Sequence, residues 1–168
     1  PRSRGLGDVY KRQVGNMAKH FKCGTLFTGA ETGIVYDHTI VADGDRITYV
    51  GPSAVAPKLG AGDETVDFGD AFVMPGLIDV HVHISYGNAM DEEGIDLYSP
   101  VEFRAIRAMM AAQQVLKAGV TSMADPALTG RVTLAVRDAI DAGLYVGPRI
   151  TSSGRQITAR QGLSDYYP

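Results

Sequence analysis

The sequence predicts an α/β protein in two parts: a small β-rich domain over residues 17–72 and, over residues 73–168, alternating strands and helices. Three observations carry this. Short β-rich runs follow one another between Phe21 and Phe72, with turn signals between them. After residue 84 the pattern switches to helical periodicity in two stretches, each closed by a glycine and followed by a short apolar run. Between the two regimes lies "VMPGLIDVHVHI", an apolar run that ends on two histidines.

The elements follow in order. Residues 39–50, "TIVADGDRITYV", place two β-rich runs around Asp43-Gly44, a favoured hairpin pair. Gly51-Pro52 ends the second run, "TVDF" reads as another short strand, and Gly69-Asp70 turns the chain into "AFVMPGLIDVHVHI". A small antiparallel sheet or sandwich accounts for these strands. "SYGNAMDEEGIDLY" reads as a long polar loop, with Asp91, Glu92 and Glu93 as a solvated acidic face. Ser99-Pro100-Val101-Glu102 has the form of a capping box with proline at the first helical position. Ala105, Met109, Ala112 and Leu116 then recur at helical spacing, Lys117 falls in the last turn, and Gly119 stops the helix. "VTSMADP" is a strand, 131–142 a second helix stopped by Gly143, and "LYVGPRITSSG" the next strand. Strand, helix, strand, helix, strand with short connections predicts parallel pairing, in an open sheet or a (β/α) barrel.

The histidines pose the chemical question. On a regular strand Asp79, His81 and His83 point one way, and Ile78, Val80, Val82 and Ile84 the other. The aliphatic face suits packing against helices. The opposite face holds three ionisable groups whose unpaired burial would cost several kcal/mol in order of magnitude. Two imidazoles pointing the same way from positions two apart, roughly 6.5–7 Å at Cα, are able to converge on one ion. Their place at the C-terminal end of a strand is where α/β folds put their chemistry. The alternative is a surface or hydrogen-bonded pair of histidines.

Bulk properties remove other classes. A net charge of −3 gives no electrostatic case for nucleic acid or an anionic membrane surface. No apolar run nears the roughly 20 residues that span a bilayer, and no signal-peptide pattern is present. Cys23 is the one cysteine, so no intrachain disulfide forms and a reducing, cytoplasmic setting is favoured. "PRSRGLGDVYKRQVGN" (residues 1–16) reads as a non-native leader and "GLSDYYP" as a stop in mid-gene, so the expectation is a fragment.

"PGLIDVHVHI", after a β-rich segment and ahead of βα units, closely resembles the amidohydrolase superfamily. The third strand, "GPRI" followed by Ser153-Gly154, resembles the imidazolonepropionase-like and Xaa-Pro dipeptidase-like branch, and the likeness runs over about residues 19–168. The resemblance implies about the first three strands of a (β/α)8 TIM-type barrel preceded by a small β-sandwich-like domain. It implies that His81 and His83 bind the more buried of one or two divalent ions, most often zinc, with Asp79 supporting. It also implies that the remaining ligands (a lysine or glutamate and two histidines) and an aspartate acting as general base lie on later strands, beyond residue 168. A barrel of this kind takes about 250 residues, and two imidazoles do not close a zinc site, so the fragment is expected to be inactive. Substrate-side candidates are Asp125 and Arg149. Two departures from the branch stand out: Ala124 replaces the arginine of an Arg-Asp pair, and "ITARQGLSDYYP" replaces a Gly-Gly-His stretch. His20 and His38 are expected to be solvated.

The expected function is therefore the N-terminal portion of a metal-dependent hydrolase that cleaves a C–N bond in an amide, cyclic amide or dipeptide. The expected partners are a small amide-type molecule and, in the full-length protein, copies of itself. The alternative is a non-catalytic scaffold or assembly protein of the same fold.

Overall fold

A computed structural model describes residues 17–31, 33–87, 89–126 and 130–162. The leader read at residues 1–16 and the closing Tyr166-Tyr167 lie outside the described residues. The chain divides into two units at Pro75/Gly76.

In the first unit β1 (Lys19–Phe27) is the central strand. It pairs antiparallel with β2 (Ile34–Asp43), which continues through the two-residue turn Gly44-Asp45 into β3 (Arg46–Pro52). The hairpin lies where the Asp-Gly signal predicts it, one residue later: Gly44 has φ +59°, a value glycine adopts without steric cost. A bulge between Val41 and Ala42 shifts the register. The opposite edge of β1 carries β4 (Glu64–Asp67) and β5 (Phe72–Val73) in succession, both parallel to it. The described residues thus form one mixed layer of five strands, where an antiparallel sheet or sandwich was expected. The parallel pairing arises because the loop after β3 returns the chain to the starting end of β1. Cys23, Leu26 and Val41 are buried, whereas Tyr36, Ile47 and Phe72 remain exposed.

His20 corrects a second expectation. It is 5% exposed, and its Nε2 faces Asp63 at 3.5 Å. Asp63 also accepts hydrogen bonds from the backbone N–H groups of Ala18 and Gly60. His38, also expected to be solvated, is half-buried, with its Nδ1 2.6 Å from the Tyr36 carbonyl.

The second unit is a parallel sheet in the order β6 (Leu77–Asp79), β7 (Val120–Asp125), β8 (Arg149–Ser152). Helices join the strands: α1 (Glu92–Tyr98) and α2 (Val101–Lys117) precede β7, and α3 (Val132–Asp141) precedes β8. The polar loop thus contains a helix that periodicity missed, since seven residues are too few to show it. Asp91, read as part of a solvated face, is the N-cap of α1, its carboxylate accepting the Gly94 N–H. Ser99 does not cap α2: it ends α1, with its hydroxyl 3.5 Å from the Gly94 carbonyl, and Pro100 takes the N-cap position. Lys117 and Gly119 end α2 as predicted. α3 closes in a Schellman pattern, Leu144 N–H donating to Ala139 and Gly143 N–H to Ile140, with Gly143 at φ +73°.

Small residues let α2 approach the sheet. Ala108 and Ala112, four apart, pack with Ile84, Met123, Val132, Val136 and Ile150 in a single core. The apolar face predicted for the histidine strand is only half realised. Val82 and Ile84 join this core, but Ile78 and Val80 are exposed.

Candidate functional site

The regular part of β6 is shorter than the sequence predicts. It ends at Asp79, and residues 80 and 81 form a bend. Asp79 supplies the reason: its Oδ1 accepts the backbone N–H of His81 at 3.0 Å. A short side chain that bonds the backbone two residues on offers the chain a turn in competition with the sheet ladder.

The chain then returns to the sheet. Val82 N–H donates to the Ala124 carbonyl at 3.0 Å, and Ile84 N–H donates to Asp125 Oδ2 at 3.3 Å. Further along, the Arg107 guanidinium donates to the carbonyls of Tyr86 and Gly87. The histidines therefore sit on a segment tied down at residues 79, 82, 84 and 86–87.

This anchoring brings the rings together. The His81 and His83 centroids are 5.1 Å apart, with planes 88° apart. Two imidazoles bound edge-on to one tetrahedral ion, each nitrogen about 2.0–2.1 Å away, would have centres about 5 Å apart. The observed separation of the two rings is close to that value. Among the described residues no set of three or more His, Cys, Asp or Glu converges, so the pair accounts for at most two ligands. Tyr86 packs against His83 at 5.5 Å between ring centres.

Asp125, a substrate-side candidate in the sequence, faces inward. It is fully buried at 0% exposure. Its Oδ2 accepts from Ile84 N and, at 2.8 Å, from the Thr133 hydroxyl, while Oδ1 faces His83 Nδ1 at 3.5 Å. Burial pushes the Asp125 carboxyl above its ordinary value, against the opposing pull of the Thr133 and Ile84 hydrogen bonds and of His83. Arg149, the other substrate-side candidate, is exposed. It begins β8, level with Ile78 and Ser122, and its Nη1 lies 3.4 Å from the Ser122 hydroxyl. Ser152, level with Asp125, marks the histidine end, three residues or about 10 Å further along. Thr133 and Tyr86 were not foreseen; neither belongs to a spacing pattern that sequence reading tests.

Residues 72–162, which contain all of this site, match the family model described as the amidohydrolase family. The chain belongs to the amidohydrolase family. Curated relatives of the chain include the imidazolonepropionase of Streptomyces avermitilis, 34% identical over 103 residues, which are 57% of this chain and 24% of that protein. Among solved structures, a prolidase complexed with N-methylphosphonate-L-proline superposes with a TM-score of 0.75 at 30% identity, over 90% of this chain and 35% of that one. A Xaa-Pro dipeptidase with methionine bound in its active site gives a TM-score of 0.71 at 28% identity, over 84% and 34%. The chain thus spans about a quarter to a third of the length of these relatives.

Proposed function

We propose that this amidohydrolase chain is the N-terminal portion of a metal-dependent enzyme that hydrolyses a C–N bond in a small amide, a cyclic amide or a dipeptide. The observation that carries the reading is the 5.1 Å approach of the His81 and His83 rings within the family-matched segment. In this reading the two imidazoles hold one divalent ion, most simply zinc, with or without a second ion beside it. Such an ion supplies Lewis acidity and a water acidified towards neutral pH, which is what amide cleavage needs. Asp79 keeps the bend that presents His81, and Val82 and Ile84 keep the segment against the sheet. The remaining ligands and a general base come from outside residues 17–162, so the isolated segment is inactive. The three parallel strands are then the opening arc of a (β/α) barrel, whose free edges the rest of the barrel pairs, and the five-stranded layer is part of a two-layer β domain.

The relatives' names set the first substrates to try: imidazolone propionate and Xaa-Pro dipeptides. No helix among the described residues is long and apolar enough to cross a membrane, and Cys23 is unpaired; the reading places the enzyme in the cytoplasm, with self-association in the full-length protein. The test uses full-length protein, its metal content per chain, and hydrolysis of both substrate types by the parent, His81→Ala and His83→Ala. Loss of metal and of turnover in both variants is expected. Unchanged metal content refutes the assignment, and metal binding without turnover of any C–N substrate favours a scaffold role.

A further inference from the structure

We propose that Asp125 is a positioning residue that holds the proton of His83 on Nδ1, leaving the Nε2 lone pair to face a divalent cation. The proposal rests on the metal reading above and gives a task to a buried carboxylate that the reaction itself does not use.

Three observations carry it. First, His83 Nδ1 and Asp125 Oδ1 are both buried without a hydrogen-bond partner, and they lie 3.5 Å from each other. Each is the group placed to complete the other. Second, the carboxylate has no freedom to turn away, because Oδ2 is held by Ile84 N–H and by the Thr133 hydroxyl. Third, Asp125 is sealed off at 0% exposure, so no substrate reaches it.

The chemistry follows from donor and acceptor roles. A backbone N–H only donates, so Oδ2 stays an acceptor for Ile84. Oδ1 of the carboxylate is an acceptor too, and an acceptor facing a ring nitrogen calls for N–H at that nitrogen. A neutral imidazole carries one such proton. With it on Nδ1, Nε2 is unprotonated and available as a ligand. The same anchor that ties Ile84 to the end of β7 thereby also sets the tautomer of His83.

The roles predict an unusual effect of Asp125→Asn. Asparagine has one acceptor oxygen, and Ile84 N–H claims it. The NH2 group then faces His83 Nδ1 as a donor, which favours the opposite tautomer, with the proton on Nε2, where it blocks the metal.

The first measurement needs no variant at Asp125. Full-length protein carrying 15N-histidine is stripped of metal and examined by long-range 1H–15N correlation, at a pH well above the histidine range. His83 is assigned by the signals that disappear in His83→Ala. An Nδ1–H tautomer is expected, and an Nε2–H tautomer overturns the proposal. The second measurement is zinc affinity, by competition with a chromogenic chelator. Asp125→Asn should weaken binding 10- to 100-fold and switch the tautomer. A folded Asp125→Asn variant that binds zinc within about twofold of the parent, well short of that range, overturns the proposal. If Asp125→Asn does not fold, the parent's tautomer decides alone. His81→Ala and His83→Ala separate this inference from the one beneath it. If both bind zinc as the parent does, the metal reading fails and takes the role of Asp125 with it. If they lose zinc while Asp125→Asn keeps it, the role of Asp125 alone fails.

Discussion

Gly76→Ala tests whether the geometry of the histidine segment starts at its first residue. A Cβ on Gly76 would lie 2.1 Å from Thr121 Oγ1, 2.2 Å from Thr121 Cγ2 and 2.7 Å from Thr121 Cβ. Carbon contacts ordinarily sit at about 3.5–4.0 Å, so something must move by roughly 1.5 Å. Turning the threonine does not help, because its Cβ is itself too close, and a β-branched χ1 is stiff in any case. The start of β6 must therefore shift from β7, against the hydrogen bond from Leu77 N–H to the Gly119 carbonyl at 2.9 Å. Overpacking of this kind costs about 1–3 kcal/mol. The assay is a double-mutant cycle by thermal and urea melts of full-length protein. Thr121→Gly costs some strand stability alone but removes all three clashing atoms, so Gly76→Ala on that background should be close to neutral. Thr121→Ala, which keeps the Cβ, should rescue only partly. Equal costs of Gly76→Ala on the parent and Thr121→Gly backgrounds would falsify the steric account.

Two other perturbations read separate parts of the chain. The Gly60 N–H foremost, then the Ala18 N–H and His20, hold the Asp63 carboxyl below its ordinary value of 3.8, against the opposing effect of burial. A depressed carboxyl stabilises the fold fully above its unfolded value and loses that stability as pH falls through the lower folded one. Asp63→Asn should therefore flatten the loss of stability below about pH 4, and an unaltered acid limb in urea melts at stepped pH counts against the pairing. Arg107→Met removes the guanidinium that donates to the Tyr86 and Gly87 carbonyls. Amide exchange at residues 85–87 should accelerate while that of β7 holds, and uniform exchange across both would show that Arg107 does not pin the loop.

Much of this architecture was legible because it is written locally. Asp43-Gly44 marked the β2–β3 hairpin, Gly119 and Gly143 marked the helix ends, and the stripe from Ala105 to Leu116 marked α2. The parallel β4 and β5 were not legible, since nothing within Glu64–Asp67 or Phe72–Val73 says which edge of which strand it will meet. At the site, the identity and spacing of His81 and His83 pointed to a pair that does come together. The route to that pair was misjudged. Strand alternation assumes a regular ladder, and Asp79 breaks it by taking the His81 N–H for itself. Asp125 was legible as a polar residue at a strand end, but not which way it faces. Its inward turn depends on Thr133 from the next helix and on the Ile84 amide, eight and forty-one residues away in sequence.

If anchoring sets the ring pair in place of strand alternation, a purely apolar residue should control it. Ile84 is 2% exposed, belongs to the core with Ala108, Ala112 and Val136, and follows His83 directly. Its side chain holds the far end of the histidine segment while its amide meets Asp125. Ile84→Val deletes one methyl group and should cost about 0.5–1.5 kcal/mol, Ile84→Ala about 2–5 kcal/mol. The two should part company on zinc affinity. Valine keeps the branched contact, so the amide stays where Asp125 accepts it and binding is retained. Alanine leaves a cavity into which the segment relaxes, so binding and stability fall together. Asp79→Ala gives the contrast: it frees the His81 amide at an exposed bend and should disturb binding with little loss of stability. Were Asp79→Ala to abolish binding while a folded Ile84→Ala bound zinc as tightly as the parent, the bend alone would set the rings, and the core would have no part in the site.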